Sequence, residues 1–180
     1  MRMCAKQSVL LLVDLQERLL PAIHDGRSVV AHVSWLMGVA QALGVPVLAS
    51  EQYPQGLGAT LSTLRSQLKT GAVVEKEHFS AVSGGLLWKA PGGERHQWIV
   101  TGTETHVCVQ QTVLDLLAAG RRVFVVEEGV GSRQERDKQL ALERMRSHGA
   151  DIVSREMVAF EWLERANTDV FRTVLKTFIR

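Results

Sequence analysis

The sequence predicts an α/β fold, a three-layer α/β/α sandwich around a six-stranded, mainly parallel sheet. Three observations carry that prediction. Short runs rich in Val, Ile and Leu recur along the 180 residues, they alternate with segments of helical periodicity, and glycines close two of those segments. A near-continuous apolar run suits a strand buried on both faces, which is the habit of parallel strands. Strand, helix, strand repeated along a chain places helices on both faces of the sheet.

In chain order, strands are predicted at 8–14 (SVLLLVD), 45–50 (VPVLAS), 72–76 (AVVEK), 97–101 (QWIVT), 121–128 (RRVFVVEE) and 150–154 (ADIVS). Residues 27–43 put Val30, Val33, Leu36, Met37 and Ala40 at helical spacings, and Gly44 stops the pattern as a C-terminal glycine does. A second helix spans 107–119 and ends at Gly120. In 132–149, Leu140, Leu142 and Met145 sit among many charges, which predicts a half-buried helix with a solvated face. Glu135, Asp137 and Glu143 interrupt its basic residues, so it does not read as a nucleic-acid-binding helix. Two further helices are expected at 155–165 and 168–179. No repeat or linker divides the chain, and residues 1–180 are expected to form one domain.

Composition narrows the function classes. Hydrophobic residues make up 46% and charged residues 22%, as in an ordinary globular protein, and a formal charge of +2 with interleaved signs offers no footprint for nucleic acid or an anionic membrane. Cys4 and Cys108 do not form a disulfide framework, which points to a reducing compartment, the cytoplasm. Asp14 ends the first apolar run too early for a signal peptide, and no window approaches the roughly 18 apolar residues of a membrane span.

Ionisable or nucleophilic groups gather at strand ends. Asp14 closes the first strand, Lys76 closes the third, and Cys108 follows the fourth in TGTETHVCVQQT. Ligands of open α/β sheets bind outside the carboxyl ends of the strands. Each residue also has an ordinary reading: Asp14 as a helix cap, Lys76 as a solvated strand end, Cys108 as a small core hydrophobe. With Thr105 as N-cap, Cys108 falls in the first helical turn, where the helix field and a neighbouring Lys76 favour a thiolate and Asp14 is placed to take the proton. A 3-2-1-4-5-6 strand order would leave Lys76 two strand spacings, about 10 Å, from the first strand, so its stem must reach inward. The loop SEQYPQGLGAT at 50–60 lacks both a dinucleotide fingerprint and a P-loop, leaving a Pro/Gly turn and a pocket wall equally open. The six histidines show no metal-ligand spacing, while His78, Phe79, Ser80 and His106 flank Lys76 and Cys108 closely enough to line a pocket.

The set LLVDLQERL, SEQYPQGLGAT, EKEHFSA, TGTETHVCVQQTVLDLLAAG and SRQERDKQLALERM resembles the isochorismatase-like cysteine hydrolases, in order, over about 8–165. It most resembles their branch of isochorismatase-domain-containing proteins. The resemblance implies a catalytic triad of Asp14, Lys76 and Cys108, and a non-proline cis peptide at Thr103–Glu104 that turns backbone N–H groups toward an oxyanion. Glu104 and Cys108 are the expected donors of that hole. It implies hydrolysis of a small amide or related C–N bond through a thioester, with no cofactor and no metal, in a homo-oligomer of two or more chains. Gln16, Gln52, Tyr53, Phe79 and His106 are the expected substrate contacts. The alternative is a catalytically silent member acting as an oligomeric scaffold or partner-binding protein.

Departures from the family pattern refine these expectations. The nicotinamidase branch carries an Asp/His metal cluster near the second-strand loop, which SEQYPQGLG lacks. Isochorismate-cleaving relatives generally lack cysteine at the nucleophile position, so Cys108 argues against vinyl-ether hydrolysis. Where relatives often have Asp before a Ser-Arg pair, this chain has Glu128 and Gly129 before Ser132-Arg133. A thiol redox role would need a resolving cysteine, and C-x-x-C is absent from the sequence. Four Trp and the apolar stripe Val170, Phe171, Val174, Leu175 and Phe178 are candidate surface for oligomer contacts, although such a stripe more often packs inward.

Overall fold

The computed structural model describes residues 2–179. Strand β1 (Ser8–Val13) is followed by α1 (Gly26–Ala42), β2 (Val47–Gln52), the short helices α2 (Pro54–Leu57) and α3 (Ser62–Arg65), β3 (Val73–Lys76) and β4 (Gln97–Thr103). A π-helical turn, Thr105–Val109, leads into α4 (Gln110–Ala118), then β5 (Arg122–Gly131), α5 (Glu135–Ser147), β6 (Asp151–Val153), α6 (Arg155–Leu163) and α7 (Asp169–Val174). The sheet order is β3-β2-β1-β4-β5-β6 and every pairing is parallel. The predicted sandwich is what forms.

Strand β1 shows how its sequence builds two faces. All six residues are buried. Leu10 and Leu12 join the core made with α1, α6 and α7, whereas Val9, Leu11 and Val13 join the core made with α4 and α5. Alternate residues of a strand point to opposite faces, so an unbroken apolar run fills both layers. β4 approaches β1 closely enough that only glycine fits at position 102: its φ is +117° and a Cβ there would lie 2.0 Å from the Val13 carbonyl oxygen.

Several elements differ from expectation for identifiable reasons. β2 runs on through Glu51 and Gln52, because the buried Glu51 carboxylate is satisfied by the Thr60 N–H and the Arg65 guanidinium. β5 also runs further, but with a break in register: Val100 pairs Val125, whereas Gly102, two residues on, pairs Val130, five residues on. The irregular segment holds the unusual Glu127-Glu128-Gly129. Glu127 pairs with Lys138 of α5, Glu128 accepts from the Arg155 N–H at the start of α6, and a Cβ on Gly129 would press on Thr101 and Val126.

Leu140 does not help bury α5, since it is 46% exposed and Ala141 packs inward beside Leu142 and Met145. Trp98 and Trp162 are core residues, which removes them as contact surface. In the C-terminal stripe Val174 is buried, and Val170, Phe171 and Phe178 pack against the α1 side of the core. The Phe178 ring lies where a Cβ of Gly38 would be, so α1 needs its glycine there. No helix among the described residues is long and apolar enough to cross a membrane.

Candidate active site

Parallel order places the carboxyl ends of β1, β2, β3 and β4 along one edge, and the candidate residues emerge from it. Asp14 follows β1 with φ +48°, a left-handed conformation that a short polar side chain tolerates. Its N–H donates to the Ser50 carbonyl at 3.1 Å, and its own carbonyl accepts from Thr103 Oγ1 at 2.8 Å, so backbone bonds fix it from both neighbouring strands. The buried carboxylate accepts from Ser50 Oγ at 2.6 Å and from Lys76 Nζ at 2.7 Å. Lys76 does reach inward across β2.

The Lys76 ammonium also donates to Gln52 Oε1 at 2.7 Å and to the Phe79 carbonyl at 3.0 Å. All three of its protons are thereby used. The ammonium is held in place between Asp14, Gln52 and the Phe79 carbonyl.

Cys108 faces both groups from the π-helical turn after β4. The peptide between Thr103 and Glu104 is cis, as the family resemblance implies. Thr105 does not cap the turn: the chain is extended at Glu104 and already helical at Thr105, whose buried hydroxyl has no partner among the described residues. The turn is widened, with the Val109 N–H donating to the Glu104 carbonyl at 3.2 Å. No hydrogen bond from the Glu104 N–H is found among the described residues.

The Cys108 thiol is 6% exposed, and its acidity differs from the sequence-based expectation. Burial pushes its pKa well above the ordinary thiol value, the Asp14 carboxylate pushes it further, and Lys76 opposes both. Removing a thiolate from water outweighs the favourable charge and the start of the helix. The resting sulfur is therefore a neutral thiol beside a base, not a stored thiolate.

The remaining candidates separate into two groups. Gln16 is fully buried, with Nε2 donating to the Gln52 and Gly58 carbonyls at 3.0 and 2.7 Å and Oε1 accepting from the Gln52 N–H at 2.8 Å. Its carboxamide holds the 53–61 loop. Gln52 positions Lys76 and donates to the Glu77 carbonyl. Tyr53 and Phe79, at 55% and 52% exposed, project from the loops after β2 and β3. His106 is half-buried, with Nδ1 3.0 Å from Ser132 Oγ. His78, Phe79 and Ser80 line a cavity of about 370 Å³ completed by α4. Among the described residues, no three His, Cys, Asp or Glu side chains are placed to hold a metal ion. Sequence reasoning missed Ser50, Thr103 and Arg133; the signal for Ser50 was a polar residue closing an otherwise apolar strand.

An all-parallel six-stranded sheet in a three-layer α/β/α sandwich, with a carboxylate, an ammonium and a thiol near its carboxyl edge, has the architecture of the isochorismatase-fold class. Within it, this chain belongs to the isochorismatase family, whose domain profile matches residues 8–157. It is 35% identical over 176 residues to isochorismatase domain-containing protein 2A of Mus musculus, covering 97% of this chain and 84% of that one. The structure described as the MAR1 ribonuclease of Caenorhabditis elegans superposes with a TM-score of 0.91 at 30% identity, covering 100% of this chain and 93% of the other. The YcaC gene product of Escherichia coli, described as an octameric hydrolase of unknown specificity, has the same fold, with a TM-score of 0.90 at 24% identity over 99% of this chain and 91% of that one.

Proposed function

We propose that this protein is a cysteine hydrolase that cleaves a small amide or related C–N bond through a thioester. One observation carries the reading: the Cys108 thiol faces a buried carboxylate whose position is fixed by Lys76 and Ser50. Because the thiol is neutral at rest, proton transfer and attack are coupled. Asp14 takes the Sγ proton as sulfur bonds to the substrate carbonyl carbon, and the carbonyl π pair moves to oxygen. The N–H groups of Glu104 and Cys108 receive that oxyanion, a contribution of about 3–4 kcal/mol per donor in comparable sites. Collapse expels the amine, which takes the proton from Asp14. Water then attacks the thioester, giving its proton to Asp14, and the carboxylic acid leaves as the thiol re-forms.

Lys76 holds the Asp14 carboxylate in place between steps and stabilises negative charge on sulfur. Tyr53, Phe79 and His106 contact substrate, while Gln16 and Gln52 act by holding the loop and the ammonium. The scheme uses side chains of this chain and water, without a cofactor. A small-molecule substrate fits the near-neutral, interleaved charge better than the RNA implied by the name of the nematode relative. A cytoplasmic location, suggested by two free cysteines, a single domain and a homo-oligomer belong to the same proposal.

The test is ammonia release from a panel of small amides, with RNA cleavage assayed alongside. Turnover of one amide that disappears in Cys108→Ser, in a protein that still folds, is the expected result. Amide turnover unchanged in that variant would sink the mechanism. Absence of turnover across the panel favours the scaffold alternative.

A further inference from the structure

Ser132 and Arg133, the two residues after β5, reach back to the turn that carries Cys108. Ser132 Oγ lies 3.0 Å from His106 Nδ1. Arg133 donates twice to Glu104 Oε2, from its backbone N–H and from Nε, each at 3.0 Å. His106 Nε2 faces Asp137 Oδ2 at 3.9 Å, and the Ser132 carbonyl accepts from the His24 N–H, which ties the same segment to the approach to α1. Glu104 and His106 lie on either side of Thr105, and neighbouring residues of one loop hold both.

This arrangement stands where a helix cap ordinarily stands. The π-helical turn begins without a side-chain cap, and the Thr105 hydroxyl has no partner among the described residues. No capping side chain therefore helps the backbone of the turn to hold the direction of its first N–H groups. The Glu104 carboxylate, largely buried and held by two donors of Arg133, does so from outside, through charge-assisted bonds that are short in reach and directional.

We propose that Ser132-Arg133 is a positioning pair for the oxyanion site. Arg133 acts through Glu104, whose backbone N–H is an oxyanion donor in the proposed mechanism, and Ser132 holds the far side of the turn through His106. The inference rests on the hydrolase reading above. It assigns Arg133 no contact with substrate, although its side chain is 60% exposed. Misplacement of a catalytic group by about 1 Å costs roughly 100-fold in rate, so loosening this clamp is felt in kcat.

The experiment uses p-nitrophenyl acetate, an activated ester that needs the same nucleophile and oxyanion site, with Cys108→Ala as the blank. Arg133→Ala, Glu104→Ala and the double variant are compared with wild type, together with thermal midpoints. Each single change is expected to lower kcat roughly 10-fold to 100-fold with KM moved less than about threefold, and the double is expected to be no worse than either. Arg133→Lys, which keeps the backbone donor and the charge, is expected to recover part of the loss. If Glu104→Ala does not fold, the isosteric Glu104→Gln repeats the comparison. A rise in KM at constant kcat makes Arg133 a substrate contact and overturns the inference, as do multiplicative losses in the double variant. Wild type without Cys108-dependent release of nitrophenolate overturns the hydrolase reading instead.

Discussion

The Lys76 ammonium lies 2.7 Å from the Asp14 carboxylate, and both side chains are almost wholly withdrawn from solvent. Each charge has been taken out of water and is tolerable because the other is there. Lys76→Met leaves Asp14 buried without its counter-ion and is expected to cost about 3–5 kcal/mol of stability. Asp14→Asn leaves the ammonium in the same position. The double variant is expected to lose less than the sum of the singles when unfolded in urea, which a simple pair of independent contacts would not do.

The raised pKa of Cys108 makes stability depend on pH in a stated direction. An unfolded thiol ionises near its ordinary value of 9.0, while the native one, pushed up first by burial and then by Asp14, keeps its proton. Above that ordinary value the unfolded chain binds fewer protons than the native one, so stability falls as pH rises, by up to about 1.4 kcal/mol per unit, and the contribution is complete only below it. Cys108→Ala lacks this slope, and urea unfolding between pH 7 and 10 should show wild type losing stability faster than the variant. Parallel curves would mean that the thiol is not raised.

Sequence periodicity made the strands and the order of elements legible, because a strand such as 8–13 buries both faces and must be apolar throughout. Asp14, Lys76 and Cys108 were legible as strand-end residues; parallel topology puts them on one edge, and the Lys76 stem reaching across β2 brings its ammonium to Asp14. What sequence hid are groups whose role depends on a partner far along the chain. Glu51 reads as a loop charge until Thr60 and Arg65 meet it, and Ser50 reads as a strand end until Asp14 folds beside it. The thiol's acidity was misjudged for a related reason. Helix position and a nearby lysine can be read along the chain, whereas depth of burial belongs to the assembled core.

Gln16 offers a test of how the site loop is held. Its carboxamide makes three bonds to the backbone of Gln52 and Gly58, and Arg18 adds Nη1 bonds to the Gln55 and Gly56 carbonyls. Gln16→Leu strands those backbone groups in a buried setting and is expected to cost about 1–3 kcal/mol. Limited proteolysis should show cleavage moving into 53–61 in that variant. Unchanged protection of the loop would assign its order to Arg18 and Glu51 instead.

Tyr53 and Phe79 present a contrasting case, because their side chains are too exposed to support the fold. They extend from loops that follow β2 and β3, and the backbone of each is tied to Lys76: the Tyr53 N–H donates to the Lys76 carbonyl and the Phe79 carbonyl accepts from Nζ. Replacing either side chain by Ala leaves those backbone bonds in place and removes apolar surface that packs on little within the chain. Thermal stability is therefore expected to change by less than about 0.5 kcal/mol. If the two rings form the mouth of the substrate site, removing one of them weakens substrate binding by about 1–3 kcal/mol, or roughly 5-fold to 150-fold in KM, with kcat preserved. The measurement is steady-state kinetics of Tyr53→Ala and Phe79→Ala on the best amide of the panel. A fall in kcat instead, with KM unchanged, would place the rings in control of Lys76 and not of substrate, since both residues bond to Lys76, Tyr53 to the lysine's backbone carbonyl and Phe79 to its ammonium.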